Sequence, residues 1–347
     1  MADKMKIVRL GKSGLHVSEI CFGCMTIGTS EKNNWGLPTA LKDESFAMLN
    51  EFYERGGNFF DTADVYGRGD SEVVLGEWMA TKNRDDLVIA TKVRGRMGPS
   101  ANSVGLSRKH IMAAVKDSLE RLKTDHIDLY QVHSWDVSTP LEETMTTLND
   151  LVRSGKVRYL GISNFNAYQI QKAMTICEKL GLEKFVCLQP QYSLLCRTTE
   201  WDLMPVCLED GLGCLPWSPL AGGWLSGRYK REGGPESGSR VAWAQAAGWK
   251  ATNWDDMANE HTFRVLDAVQ SVSQKTGKSM SQVSLRWLMQ KPGVTCPIIG
   301  AKKMSQLKEN LDATTFTLSE EDMKTLDAAS QVYVPYPWGA TWATTRG

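Results

Sequence analysis

The residues best suited to acid–base chemistry in this sequence are an aspartate, a tyrosine, a lysine and a histidine: Asp61, Tyr66, Lys92 and His133. A tyrosine has an ordinary pKa of about 10 and is a poor acid at neutral pH. A lysine ammonium beside it favours the phenolate, and a carboxylate holds that lysine in place and charged. A histidine orients a carbonyl oxygen or relays a proton. Together the four can protonate a carbonyl oxygen while a hydride arrives on its carbon. No protein side chain supplies a hydride, so this chemistry calls for a nicotinamide. Each residue also has a plainer reading. Asp61 caps the helix that follows, and Tyr66 covers loop surface. Lys92 is a rim residue whose ammonium reaches water, and His133 is a hydrogen-bonded, half-buried histidine.

The elements that must position these residues are strands. In GGNFFDTADVYG (56–67) an apolar pair runs straight into Asp61. Strands are expected at Ile20–Gly23, Phe59–Asp61, Leu87–Thr91, Ile127–Gln131, Val157–Ile162, Val186–Gln189, Gly213–Trp217 and Thr295–Ile299. Their nearly continuous apolar runs suit parallel strands buried on both faces. Between them lie amphipathic stretches, clearest at 44–54, 72–79, 109–122, 141–153, 168–180, 202–210 and 281–289. Ser107 is the expected N-cap of the third, and Gly155 the C-cap of the fourth. Eight alternations without a linker predict an α/β chain folded as a single (β/α)8 barrel over 1–347. A doubly wound sheet would need GxGxxG after its first strand, and Gly67-Arg68-Gly69 lacks the third glycine. Residues 1–19 read as a hairpin plugging the barrel floor. Residues 222–259, with Trp224, Trp243, Trp249 and Trp254, read as a lid loop after the seventh strand, and 332–347 as a C-terminal tail.

Chemistry in such barrels sits where the strands end. Those ends carry Asp61, Lys92, His133, Ser163-Asn164, Gln189 and Trp217-Ser218. A buried ring of this kind is costly unless its members pair with one another. Composition narrows the partners. The 347 residues carry 40 basic and 40 acidic side chains, a formal net charge of zero, which argues against nucleic acid or an anionic membrane. No apolar run is long enough for a transmembrane helix, and MADKMKIVRL is no secretory signal. Eight cysteines are present. Cys21 and Cys24 form a CxxC with no second pair, so no metal is expected, and a reduced, cytoplasmic chain is.

The blocks GGNFFDTADVYG, ATKV, LYQVHSWD, GISNF, LQPQYSLL, WSPLAGGWLSGRY and IIGAKKMSQLKENL, in this order and over nearly the whole chain, resemble the signatures of the aldo-keto reductase superfamily. Trp217, where much of the superfamily has tyrosine, points to the branch near the potassium-channel β subunits and the bacterial sugar-phosphate-like and aryl-alcohol-type reductases. The resemblance implies a (β/α)8 barrel holding an extended NADPH without a Rossmann motif. It implies Tyr66 as general acid, with Asp61, Lys92 and His133 completing a tetrad. Ser163, Asn164 and Gln189 would bind the nicotinamide carboxamide, and Trp217 would stack on its ring. Ser218, Pro219, Leu220, Ala221, Gly222 and Ser226 would wrap the pyrophosphate, with Arg228 and Arg240 on the phosphates. Gly23, Met25, Thr26 and Asp61 are further expected cofactor contacts.

After the last strand, Gly300 and Lys302 lead into a helix bearing Gln306, Glu309 and Asn310 on the adenosine side. Gln306 stands where much of the superfamily has arginine. Lys302 or Lys303 would then meet a 2′-phosphate, favouring NADPH over NADH; the plainer reading is a solvated helix start. Met25, Trp35, Tyr66, His133 and Trp135 would wall the substrate, with the lid tryptophans and Tyr336-Pro337-Trp338. With Arg96 nearby, that pocket suits an apolar carbonyl or a carboxylated one such as a 2-keto or uronic aldehyde. The expected activity is NADPH-dependent reduction of an aldehyde or ketone, with sugar-derived carbonyls among the candidates, by a monomer. Two other readings stand beside it: an NADP-dependent alcohol or sugar dehydrogenase using the same residues, and a non-catalytic NADPH-binding regulatory subunit like the channel β subunits. With the first strand expected by Ile20, no long N-terminal extension of the kind that acts as an inactivating peptide is expected.

Overall fold

A computed structural model describes residues 4–339. Two short antiparallel strands come first, β1 (Ile7–Arg9) and β2 (His16–Ser18), with Arg9 opposite His16. Eight parallel strands follow: β3 (Cys21–Gly23), β4 (Phe59–Asp61), β5 (Val88–Val93), β6 (Ile127–Val132), β7 (Val157–Ser163), β8 (Phe185–Gln189), β9 (Gly213–Cys214) and β10 (Ile298–Ile299). Their order is β10-β3-β4-β5-β6-β7-β8-β9. The sheet meets itself between its two end strands, where Thr295 N–H donates to Cys214 O and Ile298 N–H to Pro216 O, each at 2.9 Å. The fold is a (β/α)8 barrel with an N-terminal hairpin, as expected. Its last two strands are shorter than the sequence suggests because Pro216 and Pro297 carry no N–H for the ladder.

Strand alternation divides the barrel wall into two layers. Ile89 and Val93 of β5 face the helices, whereas Val88 and Ala90 face inward beside Phe59, Leu129 and Cys187. Leu10 and Val17 of the hairpin pack into this inner cluster and fill the barrel floor. Two residues beyond these apolar positions come the polar ones: Asp61 after Phe59, Lys92 after Ala90, Gln131 after Leu129 and Gln189 after Cys187. The interior is therefore dry at the bottom and charged at the top.

The helices close the outer layer. Arg108–Leu122 buries Ile111, Val115 and Leu122, and Ser107 Oγ accepts from His110 N–H at 3.3 Å as the expected cap. Leu141–Arg153 ends on Ser154, with Gly155 one residue further out at φ 75. Glu260–Thr276 is a full helix that the sequence reading left unmarked, its Val, Thr and Ser content lowering intrinsic propensity. Burial of Phe263, Leu266 and Val269 outweighs that weakness. The segment 222–259, expected as a lid loop, is packed and contains the helices Arg240–Ala246 and Trp254–Met257. Trp224 is buried and stacks on Trp254 at 5.1 Å. The tail expected at 332–347 is described only to 339. Among the described residues no helix is long and apolar enough to cross a membrane.

Candidate active site

Asp61 ends β4 with its carboxylate buried, and three side chains meet it across the barrel interior, from β5, β6 and β8. Lys92 Nζ donates to Oδ1 in a close ion pair. Gln131 Nε2 and Gln189 Nε2 each donate to Oδ2 at 2.9 Å. Burying an ammonium and a carboxylate is unfavourable unless their remaining hydrogen bonds are made. Here they are. Lys92 Nζ also donates to Thr62 O at 2.8 Å and to Tyr66 Oη at 3.3 Å, so its three protons have three acceptors. Burial alone would push Lys92 down, but Asp61 and Tyr66 more than offset it, and the ammonium is held well above the usual lysine range. The helix-cap reading of Asp61 fails. The next helix, Asp70–Met79, starts from Gly69 with no side-chain cap.

Tyr66 opens a short turn beyond β4, and its ring meets the His133 ring edge-on at 5.8 Å. Burial pushes the phenol up, Lys92 pulls it down and Asp61 pushes it up again, leaving it above its ordinary value. The sequence suggested a net fall. Desolvation reverses the sign, so the lysine keeps the phenol from rising further and the tyrosine retains its proton. His133 is pushed down to about 3, first by burial and then by the Lys92 and Arg94 charges, so its ring is neutral.

Beyond β7, Asn164 adopts φ 56 and spans the site. Its Nδ2 donates to His133 O and Ser163 Oγ, both at 2.9 Å, and its Oδ1 accepts from Trp217 Nε1 at 3.0 Å. Ser218 and Ala221 also have positive φ. Such backbone conformations gather at functional sites, where the surrounding structure holds them. These groups open onto a cavity of about 800 Å³. Gly23 forms part of its floor, where a Cβ would lie 2.8 Å from Ile298 Cγ2 and 3.2 Å from Ile299 O, so only glycine fits.

One end of the cavity is cationic. Arg228, Arg240 and Lys302 line it. Arg240 Nε is buried without a hydrogen-bond partner, and its guanidinium lies 5.8 Å over Trp243. Burial pushes the Lys302 ammonium down, and Arg228, Lys303 and Arg240 push it further. Like charges crowded this way suit an anion. The cavity also offers amide and hydroxyl groups at Ser163, Asn164 and Gln189 and a flat indole at Trp217. A nicotinamide dinucleotide fits this set of donors. Trp243 Nε1 donates to Trp35 O at 2.7 Å, and the Trp35 ring meets Tyr66 at 6.2 Å.

The model of the Aldo/keto reductase family matches residues 19–331. The chain belongs to the aldo/keto reductase family. It is 36% identical over 326 residues to an aryl-alcohol dehydrogenase (NADP+) of Phanerodontia chrysosporium, covering 90% of this chain and 83% of that protein. It is 36% identical over 332 residues to norsolorinic acid reductase B of Aspergillus parasiticus, covering 94% and 84%. An uncharacterized oxidoreductase of Bacillus subtilis, YrpG, is 35% identical over 334 residues, covering 93% and 95%.

Most of the residues expected at the site of this aldo/keto reductase line the cavity; Lys92, Ala221 and Trp135 are among those that do not. Lys92 lies beneath its floor, fully buried. Ala221 is buried within the loop after β9. Trp135 turns away from the cavity and packs edge-on against Phe165 at 5.1 Å, among the helix-facing residues. Trp243 and Trp249 of the lid line the cavity, whereas Trp224 and Trp254 support the lid from within. Lys303 and Arg96 do not line it. Arg96 Nη1 is tied to its own loop through Gly98 O and Ser100 O, each at 3.1 Å. Tyr336 and Trp338 are exposed, and Trp338 packs on Trp201 at 6.0 Å, away from the cavity.

The sequence reading missed Gln131, the second amide on Asp61. Its signal is a polar residue two positions after Leu129, on the inward-facing side of β6. A second buried group was also missed. Behind the Tyr66 turn, both Asp64 oxygens and Tyr130 Oη are buried without hydrogen-bond partners. Beside them Glu72 accepts from Thr91 Oγ1 at 2.6 Å and from Arg121 Nε at 2.7 Å. Burial, with Glu72 adding to it, pushes Asp64 up to about 8.

Proposed function

We propose that this enzyme reduces an aromatic aldehyde or ketone to the alcohol with NADPH, and that Tyr66 donates the proton. The observation carrying this reading is the buried, charged Lys92, which holds Asp61 on one side and Tyr66 Oη at 3.3 Å on the other. A carbonyl oxygen above Tyr66 and His133 would face a phenol that keeps its proton until the oxygen becomes basic. As negative charge grows on that oxygen, Tyr66 gives up the proton, and Lys92 stabilises the phenolate left behind. Asp61 holds Lys92 in place and charged, and Gln131 and Gln189 hold Asp61. Neutral His133 hydrogen-bonds the substrate oxygen without competing for the proton.

A nicotinamide, when bound, supplies the hydride. Ser163, Asn164 and Gln189 would bind its carboxamide, Trp217 would cover its ring, and Arg228, Arg240 and Lys302 would hold the phosphates. That cationic end supports NADPH over NADH, as does the cofactor in the name of the Phanerodontia relative. Trp35, Trp243 and Trp249 give the cavity flat apolar walls, which support an aromatic substrate, as do the names of the aryl-alcohol and norsolorinic acid enzymes. The test is Tyr66→Phe, followed by NADPH absorbance with an aromatic aldehyde. Turnover should fall about 10²–10⁴-fold while NADPH affinity stays near wild type. A variant within about twofold of wild type would remove Tyr66 as the acid.

A further inference from the structure

The connection after β3, residues 28–40, is a small hairpin with its own bonds. Thr29 anchors its base, where N–H and Oγ1 donate to Asp70 Oδ2 and Oδ1 at 2.7 and 2.6 Å. At its tip Asn33 Oδ1 accepts from the N–H groups of Trp35 and Leu37 at 3.0 and 3.1 Å. Gly36, at φ 73, donates its N–H to Asn33 O at 2.8 Å. A side-chain amide that closes a turn on its own backbone fixes the shape of that turn. It does not fix the direction in which the tip leans. Leu37 is buried, and with Trp35 it lines the cavity. The Trp35 ring stands edge-on to Tyr66, at an interplanar angle of 79°. The tip is therefore part of the wall around the proposed acid.

What holds the tip against that wall comes from another part of the barrel. Trp243 Nε1 donates to Trp35 O at 2.7 Å, and among the described residues no other hydrogen bond joins 28–40 to 222–259. The two segments follow β3 and β9. In the closed sheet β10 stands between those strands, so the contact joins connections whose strands do not touch. Trp243 sits on a fixed element. The helix Arg240–Ala246 is capped by Ser239, whose Oγ accepts from Ala242 N–H at 3.1 Å, and it buries Val241 and Ala244. One turn before Trp243, the Arg240 guanidinium lies over the Trp243 ring, and its Nη2 is 3.9 Å from Met25 Sδ, which also belongs to the cavity lining. The indole N–H can only donate, and its acceptor is a backbone carbonyl that is present whatever side chain stands at 35.

We propose that Trp243 is a positioning residue that sets substrate specificity: its indole N–H holds the Trp35 ring beside Tyr66, and this favours carbonyl compounds with a flat aromatic ring over puckered ones of the same size. A flat ring meets the indole with its face or edge and gains an aromatic contact. A puckered ring with as many carbons meets the same wall with fewer atoms at contact distance. Without the bond the tip keeps its shape but loses its fixed place, and the difference between the two rings shrinks. The inference rests on the reading of this cavity as a site that reduces aromatic carbonyl compounds.

The test compares benzaldehyde with cyclohexanecarbaldehyde, using NADPH and the full-length enzyme. The intrinsic reactivities of the two aldehydes cancel when each variant is referred to wild type. Trp243→Phe keeps an aromatic ring and loses the donor. It should lower the benzaldehyde-over-cyclohexanecarbaldehyde ratio of kcat/KM about 3–10-fold, mainly through KM for benzaldehyde. Trp35→Ala should lower the ratio at least as much, and adding Trp243→Phe to it should lower the ratio no further, because Trp243 acts through Trp35. An unchanged ratio in Trp243→Phe, additive losses in the double variant, or an equal fall in NADPH affinity would overturn the proposal. Where Trp243→Phe does not fold, Trp243→benzothienylalanine keeps the shape of the indole without its N–H and is read in the same way. Absence of NADPH oxidation with every aldehyde would instead strike at the carbonyl-reduction reading. In that case calorimetry of benzaldehyde binding to the NADP+-saturated protein decides about Trp243. Weaker binding in Trp243→Phe supports it, and equal or absent binding in both proteins overturns it.

Discussion

Replacing Asp64 with asparagine should make the protein more stable at mildly alkaline pH. Asp64 is fully buried, and neither oxygen has a hydrogen-bond partner. Around it stand Glu72 and Arg121 from two helices, Lys92 from β5 and Tyr130 from β6. Burial, more than any one of these, raises its pKa from 3.8 to about 8. A raised carboxyl pKa means that the folded chain holds a proton the unfolded chain has released. Stability therefore falls as pH rises through that window, by about 1.4 kcal/mol per pH unit. Integrated from 3.8 to about 8, the loss is about 6 kcal/mol. Asparagine has nearly the same shape and never titrates, though its own amide would lack partners at a cost of about 1–3 kcal/mol. Asp64→Asn should thus fall below wild type by about 1–3 kcal/mol near pH 4 and exceed it by about 3–5 kcal/mol near pH 8. Urea midpoints followed by tryptophan fluorescence across that range would measure the difference. Parallel curves for the two proteins would refute the reasoning. They would mean that Asp64 is ionised in the fold, with Arg121 shared between it and Glu72.

Asp61→Asn should lower turnover at least about tenfold with the fold intact, because Lys92 loses the charge that holds it and Tyr66 loses its electrostatic support; near-normal kcat with an unchanged pH profile would contradict this. Lys302→Ala should weaken NADPH about tenfold or more while changing NADH little, measured by fluorescence titration, since only NADPH carries the 2′-phosphate. Lys303→Ala should do much less, because Lys303 does not line the cavity. His133 is held down to about 3, so the pH–rate profile should show no histidine limb near its ordinary value of 6.5. Its lowered pKa also means that the unfolded chain gains a proton below 6.5 that the fold refuses, so stability falls as pH drops from there. His133→Gln should lessen that acid loss in urea titrations.

Much of this was legible in the sequence, for identifiable reasons. Phe59–Asp61 and Leu141–Arg153 were read with the bounds they have, because an apolar run ending in a carboxylate and a clean helical stripe are strong local patterns. The polar ring was legible in part because Asp61, Lys92 and Gln189 each follow an inward-facing apolar residue by two. What sequence could not carry was side-chain direction and desolvation. Trp135 and Arg96 stand near the right strand ends yet turn elsewhere, one to Phe165 and the other to its own loop. Asp64 looks like an ordinary loop acid, and only burial gives it a proton. The net rise of the Tyr66 pKa comes from the same cause, since a pairwise view of tyrosine and lysine leaves out the water that both have lost.

The eight thiols have a use unrelated to catalysis. None is in a disulfide, and only Cys196 is partly accessible; the other seven are buried. Burial raises the pKa of those seven, so they lack both access and thiolate character. A small alkylating reagent should therefore meet one slowly reactive sulfur on the native protein and the rest only as segments open. Cys21, Cys187, Cys214 and Cys296 sit on or beside four strands that are consecutive around the closed barrel. Cys177 and Cys207 sit on outer helices. Mass spectrometry of the labelled peptides against time would then separate helix detachment from opening of the barrel seam, making the chain its own clock for local against global unfolding.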